Sequence, residues 1–301
     1  MSKRAAVLEA TPLMAGLGAK VVVDFATALD AATRAALSEL FERHHLLFIE
    51  APGLTRDAQL ELFSSFGVLN TIPDGRDEIL VSNVLADGYL GSYELEWHTD
   101  GSYLAEPYDA NCLYAIDVQA GRSATRFVSS AEAWRRMPES LQKKLQYLQI
   151  LNTSEIKTPR GERLATHGPD LLAAAHRIVD YRPGSTTPYI TANVYQTDCV
   201  LGMDAATSRA LLDEVYAILY DERHVYEHSW KNGDFVVWDN RIVHHARGDM
   251  SNVGARTLRR FTAGGAPSVE QIPWPQMEKL QKNFRARLGP DGKPRAEAGA
   301  G

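Results

Sequence analysis

The chain has 301 residues, which is long enough for one large domain or two ordinary ones, and its 45% hydrophobic and 23% charged residues are typical of a soluble globular protein. Lysine and arginine total 32 against 38 for aspartate and glutamate, and this net charge of −6 argues against a nucleic-acid-binding surface, which needs clustered positive charge. Two cysteines are too few for a disulfide framework, and no apolar run approaches membrane-spanning length, so we expect a cytoplasmic protein with neither a membrane nor a nucleic-acid partner.

The first half of the chain combines predicted helices with a buried strand. Apolar residues recur at helical spacing over residues 30–41, and residues 46–49 form a short apolar run typical of a buried strand. Thr55 is a suitable N-cap for a second helix, which Gly67 closes. Residues 69–97 are irregular and rich in glycine around one strand-like piece at 78–83, so they predict a lid-like loop.

In the second half, residues 110–116 predict a strand, residues 130–148 predict helix broken at Pro138, and Asp204 caps a further helix. A turn at residues 231–234 is followed by predicted strands at 235–238 and 257–262. Short strands around polar motifs, with helices between them, favour an α+β fold with a β-barrel or jelly-roll core. We expect one domain over residues 1–287 and a flexible tail at 288–301.

Two motifs contain candidate metal ligands. The run 96–101 includes His98 and Asp100, and the run 238–245 ends in His244 and His245. Two imidazoles and one carboxylate are the ligand set of non-haem Fe(II) oxygenases. Side chains two residues apart on a strand point to the same side, so His98 and Asp100 can bind one metal. Only one of the adjacent histidines can point the same way, and spacing alone does not choose between them.

A third motif, residues 256–261, places two arginines, Arg256 and Arg260, on one face of a predicted strand, where they would form an anion site. Structural alternatives exist for all three motifs. The arginines also fit a solvated strand edge, the His-x-Asp pair fits a partly exposed ion pair, and either histidine fits a side chain satisfied by a backbone carbonyl. The polar residues 239–241 follow an apolar strand and suggest an open pocket mouth.

In this order along residues 21–265, the motifs resemble the taurine dioxygenase / 2,4-dichlorophenoxyacetate dioxygenase family of Fe(II)- and 2-oxoglutarate-dependent enzymes. The similarity is carried by residues 97–100, 121–127, 232–234, 238–241 and 256–260. It implies a double-stranded β-helix (jelly-roll) core with flanking helices. It also implies Fe(II) as the metal, with His98, Asp100 and His245 as its ligands, and 2-oxoglutarate and O2 as cosubstrates.

The resemblance also assigns residues to the cosubstrate. The family's 2-oxoglutarate arginine lies fifteen residues after the second metal-binding histidine, which is Arg260 here, and Arg256 matches a second arginine near the same site. The family's threonine corresponds to Thr125, although the segment 121–125 is one residue longer than the family's Gly-Gly-Asp-Thr. The implied arrangement has the far carboxylate of 2-oxoglutarate bound by Arg260 and Thr125.

The implied reaction is hydroxylation of an unactivated C–H bond in a small molecule, with succinate and CO2 as co-products, and desaturation or another oxidation is the alternative outcome. Halogenation is disfavoured because related halogenases lack the carboxylate that Asp100 provides. Taurine is disfavoured because residues 69–73 contain neither the histidine nor the tyrosine of taurine dioxygenase. The candidate substrate-lining residues are Asn70, Thr71, Asn83 and Tyr103.

Two other classes of protein fit the same ligands. A non-catalytic jelly-roll metal-binding or sensor protein would bind metal without 2-oxoglutarate. A zinc hydrolase would use the same three ligands, but the motif has no convincing general base and the paired arginines would have no task. The oligomeric state is left open, although members of the family commonly form homo-oligomers.

Overall fold

The computed structural model describes residues 9–24, 29–70, 77–86, 88–168, 171–250 and 252–266. The predicted tail at 288–301 and the candidate residue Thr71 lie outside them. The described residues contain both helices and largely antiparallel sheets, which confirms the α+β class. No helix in this part of the chain combines the length and the apolar character needed to cross a membrane.

The strands are β1 (Ala10–Met14), β2 (Leu17–Val21), β3 (Leu46–Glu50), β4 (Leu69–Asn70), β5 (Ile79–Ser82), β6 (Tyr89–Leu90), β7 (Leu95–His98), β8 (Ala110–Val118), β9 (Ala124–Ser129), β10 (Gln149–Thr153), β11 (Ala173–Arg177), β12 (Val179–Tyr181), β13 (Pro188–Ile190), β14 (Thr197–Val200), β15 (Tyr226–Ser229), β16 (Asp234–Asp239), β17 (Val243–Arg247) and β18 (Arg256–Ala263). The helices are α1 (Ala31–His44), α2 (Arg56–Phe63), α3 (Ser130–Arg136), α4 (Glu139–Leu145), α5 (Arg163–His167) and α6 (Ala205–Leu219).

Two sheets provide the framework. The larger has nine strands in the order β1-β2-β3-β16-β8-β18-β5-β6, with β4 also paired to β18. The smaller has four strands in the order β15-β9-β17-β7. Two minor sheets, β11-β10-β14 and β12-β13, come from residues 149–200, which the sequence pattern left unassigned.

One apolar cluster joins the inner faces of the two main sheets. Leu113, Val236 and Leu258 from the nine-stranded sheet pack with Phe127 and Val243 from the four-stranded sheet, and all five side chains are buried. Alternate residues of a strand point to opposite faces. Strands β17 and β18 also carry polar residues on the inner faces that hold Val243 and Leu258. These polar side chains therefore point into the space between the sheets.

Helices cover the outer faces. Phe41 of α1 and Leu62 of α2 pack with Phe261 on the nine-stranded sheet, while Val215 of α6 packs with Val128 behind the four-stranded sheet. The predicted caps are confirmed: Thr55 and Asp204 each accept a hydrogen bond from a backbone N–H in the first turn of α2 and α6. Asp30 caps α1 in the same way. The predicted break at Pro138 is confirmed by the separation of α3 from α4.

Candidate active site

Two neighbouring strands bring the three predicted metal ligands together. His98 ends β7 and pairs directly with His245 in β17, and Asp100 follows two residues after β7. The Asp100 carboxylate lies 3.8 Å from His98 Nε2 through Oδ1 and 3.4 Å from His245 Nε2 through Oδ2. One potential ligand atom from each residue lies within 4.8 Å of the others, and all three side chains are largely buried. This is a donor set that fits a single divalent metal.

His244, the other candidate of the adjacent pair, is directed away from the cluster. Its Nδ1 lies 2.9 Å from the hydroxyl of Tyr220 and its Nε2 lies 3.0 Å from the carbonyl oxygen of Ile190. Burial lowers the pKa of His244 to about 4, despite the backbone hydrogen bond, so the ring is neutral at pH 7. His244 is thus a buried histidine satisfied by its neighbours, while His245 joins the cluster.

The backbone of β7 orients His98. Between the pairs His98–His245 and Leu95–Arg247, β7 contains one residue more than β17, which produces a bulge. The His98 Nδ1 lies 2.7 Å from the carbonyl oxygen of Glu96, so Nε2 is the nitrogen left for a metal. Burial, reinforced by His245, lowers the pKa of His98 to about 3, which keeps the imidazole in the neutral form that binds metals.

Two asparagines hold the Asp100 segment, and the sequence patterns had not singled either of them out. The Asn240 side chain accepts a hydrogen bond from Asp100 N at 2.9 Å and donates to the Asp100 carbonyl at 2.9 Å and the Tyr108 carbonyl at 3.1 Å. Asn111 Nδ2 donates to Asp100 Oδ2 and to Asn240 Oδ1, both at 2.8 Å. A polar residue on the inner face of an otherwise apolar strand was the available signal for Asn111.

The expectation of an open pocket mouth at residues 239–241 is wrong for its first two members. Asp239 is 1% exposed and Asn240 is fully buried. Asp239 forms an ion pair with Arg182 at 2.8 Å, and Arg241 forms one with Asp109. Residues 239–241 can be buried because each side chain forms an ion pair or a hydrogen bond with a backbone group, which offsets the cost of desolvation.

Arg260 stands opposite the metal ligands. Its Nη2 lies 3.4 Å from Asp100 Oδ2. Burial raises the pKa of Asp100, but the positive charge of Arg260 and the two imidazoles of His245 and His98 lower it by more. The pKa of Asp100 is therefore well below its usual range. Burial raises the pKa of the Tyr103 hydroxyl, which also interacts electrostatically with Asp100 and Arg260. The metal end of the site therefore combines an ionised carboxylate, a guanidinium and a neutral phenol.

Two further polar residues, Arg256 and Thr125, are buried on the inner faces of the two sheets. Arg256 is 2% exposed, and its Nε and Nη1 have no hydrogen-bond partner among the described residues. Burial, reinforced by the nearby Arg247, lowers the pKa of Arg256 to about 9. Thr125, on the inner face of β9, is 3% exposed and accepts a hydrogen bond from Trp230 Nε1 at 2.9 Å. Buried guanidinium groups without partners are suited to receive an anion.

The remaining candidates for substrate contact differ in position. Asn70 lies in β4 and donates to the backbone carbonyls of Gly264 and Ala266. Asn83 donates to the carbonyl of Gly254 and accepts from Arg256 N, so it fixes the start of β18. Both amides are occupied by backbone groups. Tyr103 interacts electrostatically with Asp100 and Arg260, so it is the described candidate that belongs to the metal end of the site.

Comparison with known proteins agrees with this geometry. The model of the taurine catabolism dioxygenase TauD, TfdA family matches residues 9–262. The chain belongs to this family. An (S)-phenoxypropionate/alpha-ketoglutarate-dioxygenase of Delftia acidovorans is 26% identical over 87% of this chain and 97% of its own. An alpha-ketoglutarate-dependent sulfate ester dioxygenase of Pseudomonas putida is 24% identical over 87% of this chain and 91% of its own.

Solved structures show that the fold is shared. A taurine dioxygenase from Burkholderia xenovorans superposes with a TM-score of 0.73 at 19% identity, covering 86% of this chain and 91% of that one. AAD-2, solved with Mn(II) and N-oxalylglycine, superposes with a TM-score of 0.72 at 19% identity, covering 86% and 98%.

Family membership establishes the reaction class. The protein is a 2-oxoglutarate-dependent non-haem iron dioxygenase that uses Fe(II), 2-oxoglutarate and O2. Its residues fit these groups: the two imidazoles and the carboxylate match the metal, and the partnerless buried N–H groups of Arg256 match a carboxylate.

Proposed function

We propose that this dioxygenase hydroxylates an unactivated C–H bond of a small-molecule substrate, with succinate and CO2 as co-products. The convergence of His98, Asp100 and His245 between two sheets, facing buried arginines, supports this proposal. Fe(II) bound there supplies the coordination positions and electrons that couple O2 reduction to the oxidative decarboxylation of 2-oxoglutarate. Desaturation or another oxidation of the same substrate is the alternative outcome.

In this proposal two of the three metal ligands, His98 and Asp100, are oriented by hydrogen bonds from neighbouring groups. The hydrogen bond between His98 and the Glu96 carbonyl fixes the imidazole tautomer. The Asn111 amide donates to the Asp100 carboxylate, and the Asn240 amide holds the Asp100 backbone. Such outer partners orient metal ligands and raise their affinity. Asp100 is ionised and would bind the metal through the carboxylate that related halogenases lack, so oxidation without halogen transfer is the proposed outcome.

The cosubstrate arrangement that we propose exchanges the tasks first expected of the two arginines. Arg260 is 3.4 Å from Asp100 and therefore belongs to the metal end, where it can bind the carboxylate next to the keto group or an anionic group of the substrate. Arg256 and Thr125 belong to the deep end, where they receive the far carboxylate. Four residues along β18 separate the backbones of the two arginines, roughly 13 Å in a strand, so the two side chains start from opposite ends of the cosubstrate site.

We propose that the substrate enters near Tyr103 and Arg260. The pair offers an aromatic surface and a positive charge beside the metal ligands, a combination that suits a small organic acid. The names of the two relatives refer to (S)-phenoxypropionate and to sulfate esters, which are small molecules of this kind. We also propose that the nine- and four-stranded sheets are the two walls of a double-stranded β-helix, and that residues 1–287 form one catalytic domain.

The test is succinate release by Fe(II)-loaded protein with 2-oxoglutarate, O2 and a panel of small organic acids. Wild-type protein should release succinate faster with at least one acid than without any, and the product should carry one added oxygen. His98→Ala should remove this activity. His167→Ala, which removes an exposed histidine far along the chain, should retain it. Succinate release that His98→Ala leaves intact would exclude the proposed site, and a product that has lost two hydrogens would favour desaturation.

A further inference from the structure

Arg247 is a buried cation in β17 for which the motifs predict no role. It lies two residues after His245, so its side chain points to the same inner face. Ala246 pairs with Arg126 of β9, which brings the next residue, Arg247, level with Thr125. Arg247 therefore approaches the deep end of the site from the four-stranded sheet, while Arg256 approaches it from the nine-stranded sheet.

The guanidinium of Arg247 is only partly satisfied. Arg247 is 5% exposed, and its Nη2 donates to the carbonyl oxygen of Gly91. Its Nε and Nη1 have no hydrogen-bond partner in the described part of the chain, and neither Arg247 nor Arg256 forms an ion pair there. The positive charges of Arg247 and Arg256 repel each other. Both guanidinium groups are also costly to bury unless an anion lies between them.

We propose that Arg247 is a second cationic residue for the far carboxylate of 2-oxoglutarate, acting with Arg256 and Thr125, and that it ties this carboxylate to the loop at Gly91. The inference rests on the proposed function. Arg247 lies two residues, or roughly 7 Å, along β17 from the metal ligand His245. This matches the length of the cosubstrate between its metal-binding end and its far carboxylate. One carboxylate has lone pairs enough for N–H groups from both arginines.

The contact with Gly91 adds a positioning role. Leu90 and Gly91 have φ values of 66° and 47°, so the chain turns sharply there and presents its carbonyl oxygen to Arg247. This turn lies within the predicted lid-like loop, residues 69–97. A carboxylate that holds Nε and Nη1 of Arg247 also fixes its Nη2, and so the binding of 2-oxoglutarate should order the turn.

The test compares two 2-oxo acids on Fe(II)-loaded protein without O2, with binding followed by calorimetry. 2-Oxoglutarate has the far carboxylate and 2-oxobutyrate lacks it. Arg247→Gln, which keeps a donor for Gly91 but removes the charge, should weaken 2-oxoglutarate binding about 10–100-fold, the effect of losing a charge-assisted contact, and 2-oxobutyrate binding less than about 3-fold. Arg247→Lys should recover part of the loss. The matched control is Arg126→Gln, on the opposite face of the neighbouring strand, and it should leave both affinities unchanged.

Hydrogen exchange of residues 88–95 gives the second readout. 2-Oxoglutarate should slow exchange there in the wild-type protein, and Arg247→Gln should reduce this protection. If wild-type protein fails to bind 2-oxoglutarate, the proposed function itself is wrong. If wild-type protein binds and Arg247→Gln binds equally well, the role of Arg247 is overturned. An equal loss for both acids in both Arg247 variants would also overturn it, because it would indicate a purely structural residue.

Discussion

Replacement of Asn240 by alanine should weaken metal binding without direct removal of any ligand. The side-chain amide of Asn240 is fully buried and makes four hydrogen bonds: two with the backbone of Asp100, one with the carbonyl of Tyr108 and one with Asn111. Asn240→Ala removes all four, and it leaves the Asp100 N–H and the Asn111 amide with fewer partners in a buried site.

The magnitude follows from these contacts. A hydrogen bond contributes about 1 kcal/mol net, so the four together represent about 4 kcal/mol of the free energy of unfolding. Removal of an outer partner of a metal ligand costs about 10–100-fold in metal affinity, or about 1.4–2.8 kcal/mol. We therefore expect a folded but destabilised variant whose Fe(II) affinity is lower by one to two orders of magnitude.

The assay is competition for Fe(II) with a chromophoric chelator under anaerobic conditions, beside urea unfolding of the metal-free protein. The control is Leu219→Ala, in the buried cluster around α6, which should cost about 2–5 kcal/mol of stability. The cluster that contains Leu219 includes none of the three metal ligands, so its replacement should leave Fe(II) affinity unchanged. If Asn240→Ala binds Fe(II) as tightly as wild-type protein, the positioning argument for Asp100 is wrong.

Three further predictions concern metal, backbone and thiols. Addition of Mn(II) to metal-free protein at one hundred times its dissociation constant should stabilise the fold by about 2.7 kcal/mol in thermal unfolding, and Asp100→Ala should abolish this effect. Gly233→Ala should lower the urea midpoint more than Gly121→Ala: both glycines have positive φ, but only at Gly233 would a Cβ lie 2.9 Å from a neighbouring backbone atom. Burial raises the pKa of Cys112 to about 12, so its thiol stays protonated and a thiolate-specific reagent at pH 8 should label Cys199 alone in the native protein and both cysteines after unfolding. Labelling of two thiols in native protein would contradict the burial of Cys112.

Helices were the elements that sequence reasoning predicted best. Their caps and breaks are local, and Thr55, Pro138 and Asp204 all act as the sequence indicated. Strands were recovered where they are apolar, as in β3, β8 and β16. The strands β9 and β17 were missed because their inner faces carry the polar residues of the site, which break the hydrophobic alternation on which strand prediction depends.

The sequence predicted the types of metal ligand in the site, but it did not reveal the residues that position them. His98 and Asp100 share a short motif, whereas the choice of His245 over His244 follows from strand alternation only once β17 is anchored beside β7. Asn111 contacts Asp100 and Arg247 contacts Gly91 from a different sheet, and no local pattern reveals such contacts. The tasks of Arg256 and Arg260 depend on how far each lies from Asp100, which the sequence does not specify.

The most direct test of the central claim is an anaerobic titration of the metal-free protein with Fe(II) and then 2-oxoglutarate, followed by visible absorption. Chelation of the metal by the 2-oxo acid should produce a charge-transfer band that saturates at one equivalent of each and is absent in His98→Ala. Arg256→Gln should require more 2-oxoglutarate to reach the same band. If Fe(II) binds and no band develops at any concentration of 2-oxoglutarate, the three residues hold a metal but do not form the site of a 2-oxoglutarate-dependent dioxygenase.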